Sequence, residues 1–285
     1  MSSSTSPSPD AIHVFDQAIA LATEPHAEGR FTGATHPAYA NMIGPFGGMT
    51  AAQALQAVLQ HPQRLGDPIA LTVNFASALA DGPFTAVARP ARTNRSTQHW
   101  TIELLQAGAD GEQAVVLTAT AVTAVRRDTW GVDDLAAPAV GRPADVPRQG
   151  VPAAAVEWVR RYEMRPVAGA IPRTWDGGGD ASLSQLWVRD DPPRPLDFAS
   201  LTALADVFFP RIWLRRARLV PIGTVSMTVY YHADAAQLAT IGTGYLLGQT
   251  QAQAFRNGFF DQTAQLWDES GRLVASTHQV VYYKE

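Results

Sequence analysis

The stretch LDFASLTALADVFFPR, residues 196–211, carries a carboxylate within an otherwise apolar segment. Asp197 is typical of a helix start and Pro210 of a stop, so the sequence predicts a helix over residues 198–209. At about 100° per residue, Asp206 falls at the edge of the apolar arc, half-buried and near the helix C-terminus, where the macrodipole disfavours negative charge. Such a residue indicates either a functional acid or an acid at the rim of a packed helix that reaches water.

The composition is that of a soluble, globular protein with one large domain or two small ones. The 285 residues are 46% hydrophobic and 17% charged, with a net charge of -4 and no basic run, which argues against nucleic acid or an anionic membrane as a partner. The absence of cysteine excludes disulfides and a thiolate nucleophile. The only lysine, Lys284, offers no internal candidate for Schiff-base chemistry.

No targeting or membrane-spanning segment is apparent in the sequence. No apolar run reaches the ~18 residues needed to cross a bilayer. Residues 1–10 (MSSSTSPSPD) lack the basic and apolar blocks of a signal peptide, and we expect a disordered polar tail there. We therefore expect a cytoplasmic protein.

The pattern along the chain is a helix followed by antiparallel strands, and it occurs twice, which predicts an α+β fold. The predicted units are residues 11–127 and 158–285, joined by a linker over residues 128–157 that is rich in Ala, Pro, Gly and Asp. The first unit has predicted helices at 11–23 and 44–60 and strands at 69–75, 84–89, 97–106 and 113–125. The second has predicted strands at 162–165, 182–189, 224–232, 242–253, 259–267 and 272–283 beside the acid-bearing helix.

The two copies differ in their polar residues. The helix at 44–60 carries no acid, whereas the second helix carries Asp206. On the closing strand Gln279 shares the apolar face, and its counterpart in the first copy is Ala119, or Ala121 if the register slips by two. A buried amide without a partner costs roughly 1 to 3 kcal/mol, so we expect Gln279 to have one. This asymmetry predicts one site per chain, between two sheets that pair edge to edge.

Over residues 10–283 the chain resembles the acyl-CoA thioesterase II family. The matching segments are PFGGMTAAQAL at 45–55, RTNRS at 92–96, ALADVFFP at 203–210, GTVSMTVYYH at 223–232 and LVASTHQ at 273–279. The resemblance implies a double hot-dog fold, an acyl-CoA substrate, no cofactor beyond the coenzyme A of that substrate, and a homo-oligomer. It also implies that Asp206, Thr224 and Gln279 hold a hydrolytic water, with Thr228 as the alternative threonine.

The chemistry of thioester hydrolysis explains this set of residues. Asp206 would accept the proton of the attacking water as a general base, and burial would raise its basicity. Thr224 and Gln279 would orient the water by hydrogen bonds. Backbone N–H groups of Gly47 or Gly48, at a helix N-terminus, would hold the oxyanion, unless these glycines serve only close packing.

Other residues have weaker signals. Arg92 and Arg95 flank a turn and would contact the phosphates of coenzyme A, or would simply solvate a hairpin. The seven histidines have no metal-ligand spacing, and no GxSxG motif is present. Two rival functions remain. A hot-dog enoyl-CoA hydratase would have His five residues after the Asp, where this chain has Arg211, and a non-catalytic acyl-CoA binder would keep the fold without the activity.

Overall fold

A computed structural model describes residues 12–108 and 111–285 of the chain, so the predicted tail at residues 1–10 lies outside the described residues. The dominant feature is one continuous sheet in which all described strand pairs are antiparallel. Its strands are β1 (Ala22–Thr23), β2 (Arg30–Ala34), β3 (Asp67–Phe75), β4 (Pro83–Thr93), β5 (Thr97–Ala107), β6 (Gln113–Ala124), β7 (Tyr162–Ala168), β8 (Ser184–Asp190), β9 (Ile222–Tyr231), β10 (Leu246–Gln251), β11 (Phe255–Arg256), β12 (Phe259–Trp267) and β13 (Leu273–Tyr283).

The order across the sheet is β1-β2-β4-β5-β6-β3-β9-β13-β12-β10-β8-β7, with β11 pairing to β12. The helices are α1 (Val14–Ala18), α2 (Gly47–Leu59), α3 (Phe198–Leu204), α4 (Arg211–Arg216) and α5 (Ala235–Ile241), with short 3-10 turns at Pro37–Tyr39, Pro143–Asp145 and Glu157–Arg161. The helix α2 confirms the prediction at 44–60. Its alanine-rich body is almost wholly buried, because it packs on the first half of the sheet and against α3.

The two halves meet at the β3–β9 pair, which joins them edge to edge as the sequence predicts. Val73 of β3 lies directly opposite Met227 of β9, and the flanking strands repeat the arrangement: Ala119 lies opposite Val73, and Gln279 lies opposite Met227. These pairs make Ala119, and not Ala121, the counterpart of Gln279. The junction of the two copies therefore has an amide on one side and a methyl group on the other.

The prediction of one helix over residues 198–209 is wrong. α3 ends at Leu204, and the N–H of Asp206 donates to the carbonyl of Ala203 at 3.1 Å, three residues back, so the chain tightens and leaves the helix. Pro210 does not stop this helix but precedes the separate helix α4. Asp206 therefore lies in the turn that follows α3.

Two other elements differ from prediction. The opening helix expected at 11–23 is limited to the single turn and a half of α1. The strand expected at 242–253 starts only at Leu246, because residues 242–245 leave the unpredicted helix α5 through a turn. Asp234 and Gln237 form a capping box at the start of α5, a short-range signal that the strand pattern around it obscured.

The segment expected to be a linker packs along the second half of the sheet. The indole of Trp187 donates to the carbonyl of Gly141 at 2.8 Å, and the guanidinium of Arg165 donates to that of Val146 at 2.7 Å. Since these bonds satisfy carbonyls along its path, the segment is tied to the sheet at several points. The boundaries 11–127, 128–157 and 158–285 stay a prediction.

Candidate active site

The acid singled out in the sequence lies where the turn after α3 meets the N-terminus of α2. The side-chain Nε2 of Gln279 donates to Oδ1 of Asp206 at 2.7 Å, and the backbone N–H of Gly48 donates to the same carboxylate. Gln279 is buried, and its Nε2 also lies 3.5 Å from Sδ of Met227. The amide of Gln279 therefore has the partner that its burial requires, and that partner is the acid.

Burial is the main influence on the acid's protonation. It raises the pKa of Asp206 from 3.8 to about 7, against the opposing effect of the hydrogen bonds from Gln279 and Gly48, which favour the charged form. A carboxyl group with a pKa near neutral pH can accept a proton from water and return it to a leaving group. The surroundings of Asp206 thus suit a general base and acid.

Close packing explains both glycines at the start of α2. A Cβ on Gly48 would lie 2.7 Å from the carbonyl oxygen of Ala203, and one on Gly47 would lie 3.0 Å from Oδ2 of Asp206. The glycines therefore allow α2 to approach the end of α3 and its acid. The N–H of Gly48 also donates to Asp206. An oxyanion-binding role for Gly47 or Gly48 stays a prediction.

A β-bulge in the β9–β13 pair separates the two candidate threonines. Ser226 pairs with Val280, but the next pair is Thr224 with Val281, so one residue of β9 is skipped. Thr224 is thereby placed on the face that carries Gln279 and Val281. Thr228 lies on the opposite face, where its hydroxyl is 3.0 Å from that of Thr72. In an unbroken strand two residues four apart share a face, so the expectation from the sequence alone that Thr224 and Thr228 do so is wrong because of this bulge.

The two arginines proposed to bind coenzyme A lie at the other end of the strands. Phe75, which borders Gly47, pairs with Leu117 of β6, whereas Ala124 of β6 pairs with the first residue of β5, next to the turn that carries Arg92 and Arg95. Seven residues of strand separate the two ends by about 23 Å. The arginines are therefore too distant to contact the thioester, and a role for them at the far end of coenzyme A stays a prediction.

The remaining polar candidates have other partners. His278 points to the opposite side of the strand from Gln279, and its Nε2 lies 3.2 Å from Oδ2 of Asp261. Arg211 is buried and donates to the hydroxyl of Ser184 at 2.6 Å and to the backbone carbonyl of Phe209. Across residues 12–108 and 111–285 no three His, Asp or Glu side chains form a group suited to a metal ion.

Sequence reasoning missed an aromatic cluster beside the acid, formed by Phe46, Trp158 and Tyr162. The rings of Phe46 and Trp158 stack with centroids 4.2 Å apart, and Tyr162 contacts both edge-on. The only available signal was the position of Phe46 directly before Gly47. Trp158 follows a long irregular segment, and nothing in its local sequence indicates its partner.

Models of two protein domains match the chain. The acyl-CoA thioesterase N-terminal domain matches residues 36–124, and the acyl-CoA thioesterase C-terminal domain matches residues 132–283. A search of the curated proteins finds no match. No helix of the described ranges is long and apolar enough to cross a membrane.

Solved structures share the whole architecture. A hot dog fold protein of unknown function from Alicyclobacillus acidocaldarius is 46% identical, with 96% of this chain and 99% of that chain covered and a TM-score of 0.89. An acyl-CoA thioesterase II, TesB2, from Mycobacterium marinum is 18% identical, with 95% and 98% covered and a TM-score of 0.71. A tesB protein from Mycobacterium avium subsp. paratuberculosis is 16% identical, with 95% and 98% covered and a TM-score of 0.74. The double hot-dog fold is confirmed.

Proposed function

Because the chain belongs to the acyl-CoA thioesterase family and is therefore a thioester hydrolase, we propose that it hydrolyses acyl-CoA esters with a water molecule activated by Asp206. The observation that supports this role most directly is the carboxylate itself. It is held by Gln279 and Gly48 at the junction of the two halves, with a pKa of about 7. In the first half, Ala119 stands at the position that corresponds to Gln279, and its methyl group cannot hydrogen-bond a carboxylate. This difference favours a single site per chain.

The proposed reaction begins with proton transfer from water to Asp206 as the water oxygen bonds to the thioester carbonyl carbon. General-base assistance of this kind is worth roughly 10² to 10⁴ in rate. The tetrahedral intermediate then loses the coenzyme A thiolate as its C–S bond breaks. Asp206 returns the proton to the sulfur, so the products are a carboxylic acid and free coenzyme A. No net change occurs at the enzyme.

The other groups position the reactants. Thr224 of β9 lies on the same face of the sheet as Gln279 of β13, and we assign Thr224 a hydrogen bond to the attacking water. Gly47, in the first turn of α2, has the backbone N–H that we assign to the oxyanion. A single oxyanion donor contributes about 10² to 10³ in kcat. Arg92 and Arg95 remain our candidates for the distal phosphates of coenzyme A.

The experiment follows free thiol release from a series of straight-chain acyl-CoA esters with purified protein. We expect hydrolysis of at least one chain length, and no release above buffer from any ester would refute the proposed function. Loss of the enoyl chromophore from an enoyl-CoA would instead indicate a hydratase. Tight acyl-CoA binding by calorimetry without hydrolysis would indicate a non-catalytic binder.

The two threonines of β9 supply a matched pair of variants. Thr224→Val should lower kcat about tenfold or more, because one hydrogen bond to the water is lost. Thr228→Val removes the same atoms from the opposite face of the same strand and should leave kcat near that of the wild type. Equal effects of the two substitutions would remove Thr224 from the mechanism.

A further inference from the structure

The aromatic cluster next to Asp206 joins the two halves of the chain. Phe46 immediately precedes α2, whereas Trp158 and Tyr162 lie at the start of the second half. The Phe46 and Trp158 rings are nearly parallel, at 9°, with centroids 4.2 Å apart, so no methylene group fits between them. Tyr162 closes the cluster with edge contacts at 6.1 Å to Phe46 and 6.0 Å to Trp158.

The cluster borders the catalytic groups directly. The Phe46 ring lies 2.7 Å from the position that a Cβ on Gly48 would occupy, and the Gly48 N–H donates to Asp206. Burial, followed by the nearby Tyr39, Asp190 and Asp206, raises the pKa of Tyr162 well above its usual range. The cluster is therefore a large apolar surface within reach of a thioester carbonyl placed beside Asp206.

Two grooves on the surface of the described residues lie away from the acid. One groove of about 420 Å³ runs between residues 23 and 62, and another of about 740 Å³ runs between residues 180 and 283. Neither is lined by Asp206, Gln279 or a ring of the cluster. Beside Asp206 the buried ring of Phe46 lies against Gly48, so an acyl chain on that side of a carbonyl at Asp206 would extend against side chains of the core.

Trp158 is the least buried member of the cluster. It is half-buried, its indole N–H donates to Oδ1 of Asn41 at 3.3 Å, and its backbone N–H donates to the carbonyl of Ala40 at 3.3 Å. Phe46, by contrast, is buried and continuous with α2. Truncation of Trp158 would thus open space beside the site while leaving α2 and its glycines in place.

We propose that the Phe46–Trp158 pair is the wall that limits the length of the acyl chain, so that Trp158 determines substrate specificity. This inference rests on the proposed function, since it assigns the acyl end of the same site. Each additional methylene that becomes buried should raise kcat/KM about fourfold. An enlarged pocket that accepts two more methylenes should therefore favour the longer ester about 15-fold relative to the wild type.

The experiment measures kcat/KM against acyl length for Trp158→Ala and for the wild type. We expect the maximum to move to longer chains in Trp158→Ala. Trp158→Phe, which restores a stacking ring, should return the profile towards that of the wild type. Trp130→Ala is the matched control, because it removes the same side chain from a residue that is 86% exposed, and its profile should coincide with that of the wild type.

Each result decides the inference. An unchanged profile in Trp158→Ala, or the same loss at every chain length, would overturn the inference. A purely structural role of Trp158 would lower kcat/KM for all esters by the same factor. If Trp158→Ala does not fold, Trp158→Leu is measured in its place, with the same expected shift. Absence of hydrolysis by the wild type on every ester would instead refute the proposed function and this inference with it.

Discussion

Replacement of Asp206 by Asn tests the central role of the acid. Asn keeps a side-chain oxygen that can accept the hydrogen bonds from Gln279 and Gly48, and its size is nearly that of Asp. The fold should therefore persist. The variant lacks a group that can take a proton from water, so kcat should fall by about 10² to 10⁴.

The same substitution, which lowers kcat, should raise the free energy of unfolding at neutral pH. Burial raises the pKa of Asp206 from 3.8 in an unfolded chain to about 7, so the folded state binds more protons between these values and stability falls as pH rises from about 4 to about 7. A shift of about three pKa units corresponds to at most about 4 kcal/mol, which solvent near this half-buried residue reduces. Above about pH 7, Asp206→Asn should be more stable than the wild type, and the difference should shrink towards about pH 4.

Two assays check this pair of effects. Thiol release gives kcat/KM for the wild type, which should rise about tenfold per pH unit below about pH 7 and then level off. Denaturant unfolding of both proteins at about pH 5 and about pH 8 gives the free energies of unfolding. Wild-type turnover by Asp206→Asn, or a wild-type rate that is flat between those pH values, would refute the assignment of Asp206 as the base.

Two further predictions follow from the contacts around the site and at the sheet. Gln279→Leu removes a hydrogen bond that lowers the pKa of Asp206, so the rise of kcat/KM should move to higher pH, and a pH profile that stays in place would contradict this contact. Burial alone would raise the pKa of Glu163, but hydrogen bonds from Tyr245, Arg189 and Arg165 lower it from 4.5 to about 2. The charged carboxylate therefore stabilises the fold above about pH 4.5, and this stabilisation is lost as the pH falls towards 2. Glu163→Gln should therefore lower the free energy of unfolding by about 3 kcal/mol at neutral pH, as measured by denaturant titration, without altering kcat.

Local patterns in the chain were sufficient for most of the architecture. The breaker-free run of Ala, Leu and Gln predicted α2, and alternating residues bounded by turn glycines predicted β5 and β6 within two residues. The same patterns indicated a duplication in which Ala119 or Ala121 is the counterpart of Gln279, and the strand pairs select Ala119. These features depend on residues close together in the chain, so their periodicity is sufficient to predict them.

The sequence by itself determined that an acid and an amide stand where the other copy has apolar residues. Only the tertiary structure decided that the helix ends before Asp206, that a bulge turns Thr228 away from Thr224, and that Gly48 donates to the acid. The pairing of Phe46 with Trp158 was likewise beyond the reach of local pattern. The reason is that each of these features depends on a hydrogen bond or a packing contact with a distant segment, whereas periodicity describes only how one continuous segment presents its own faces.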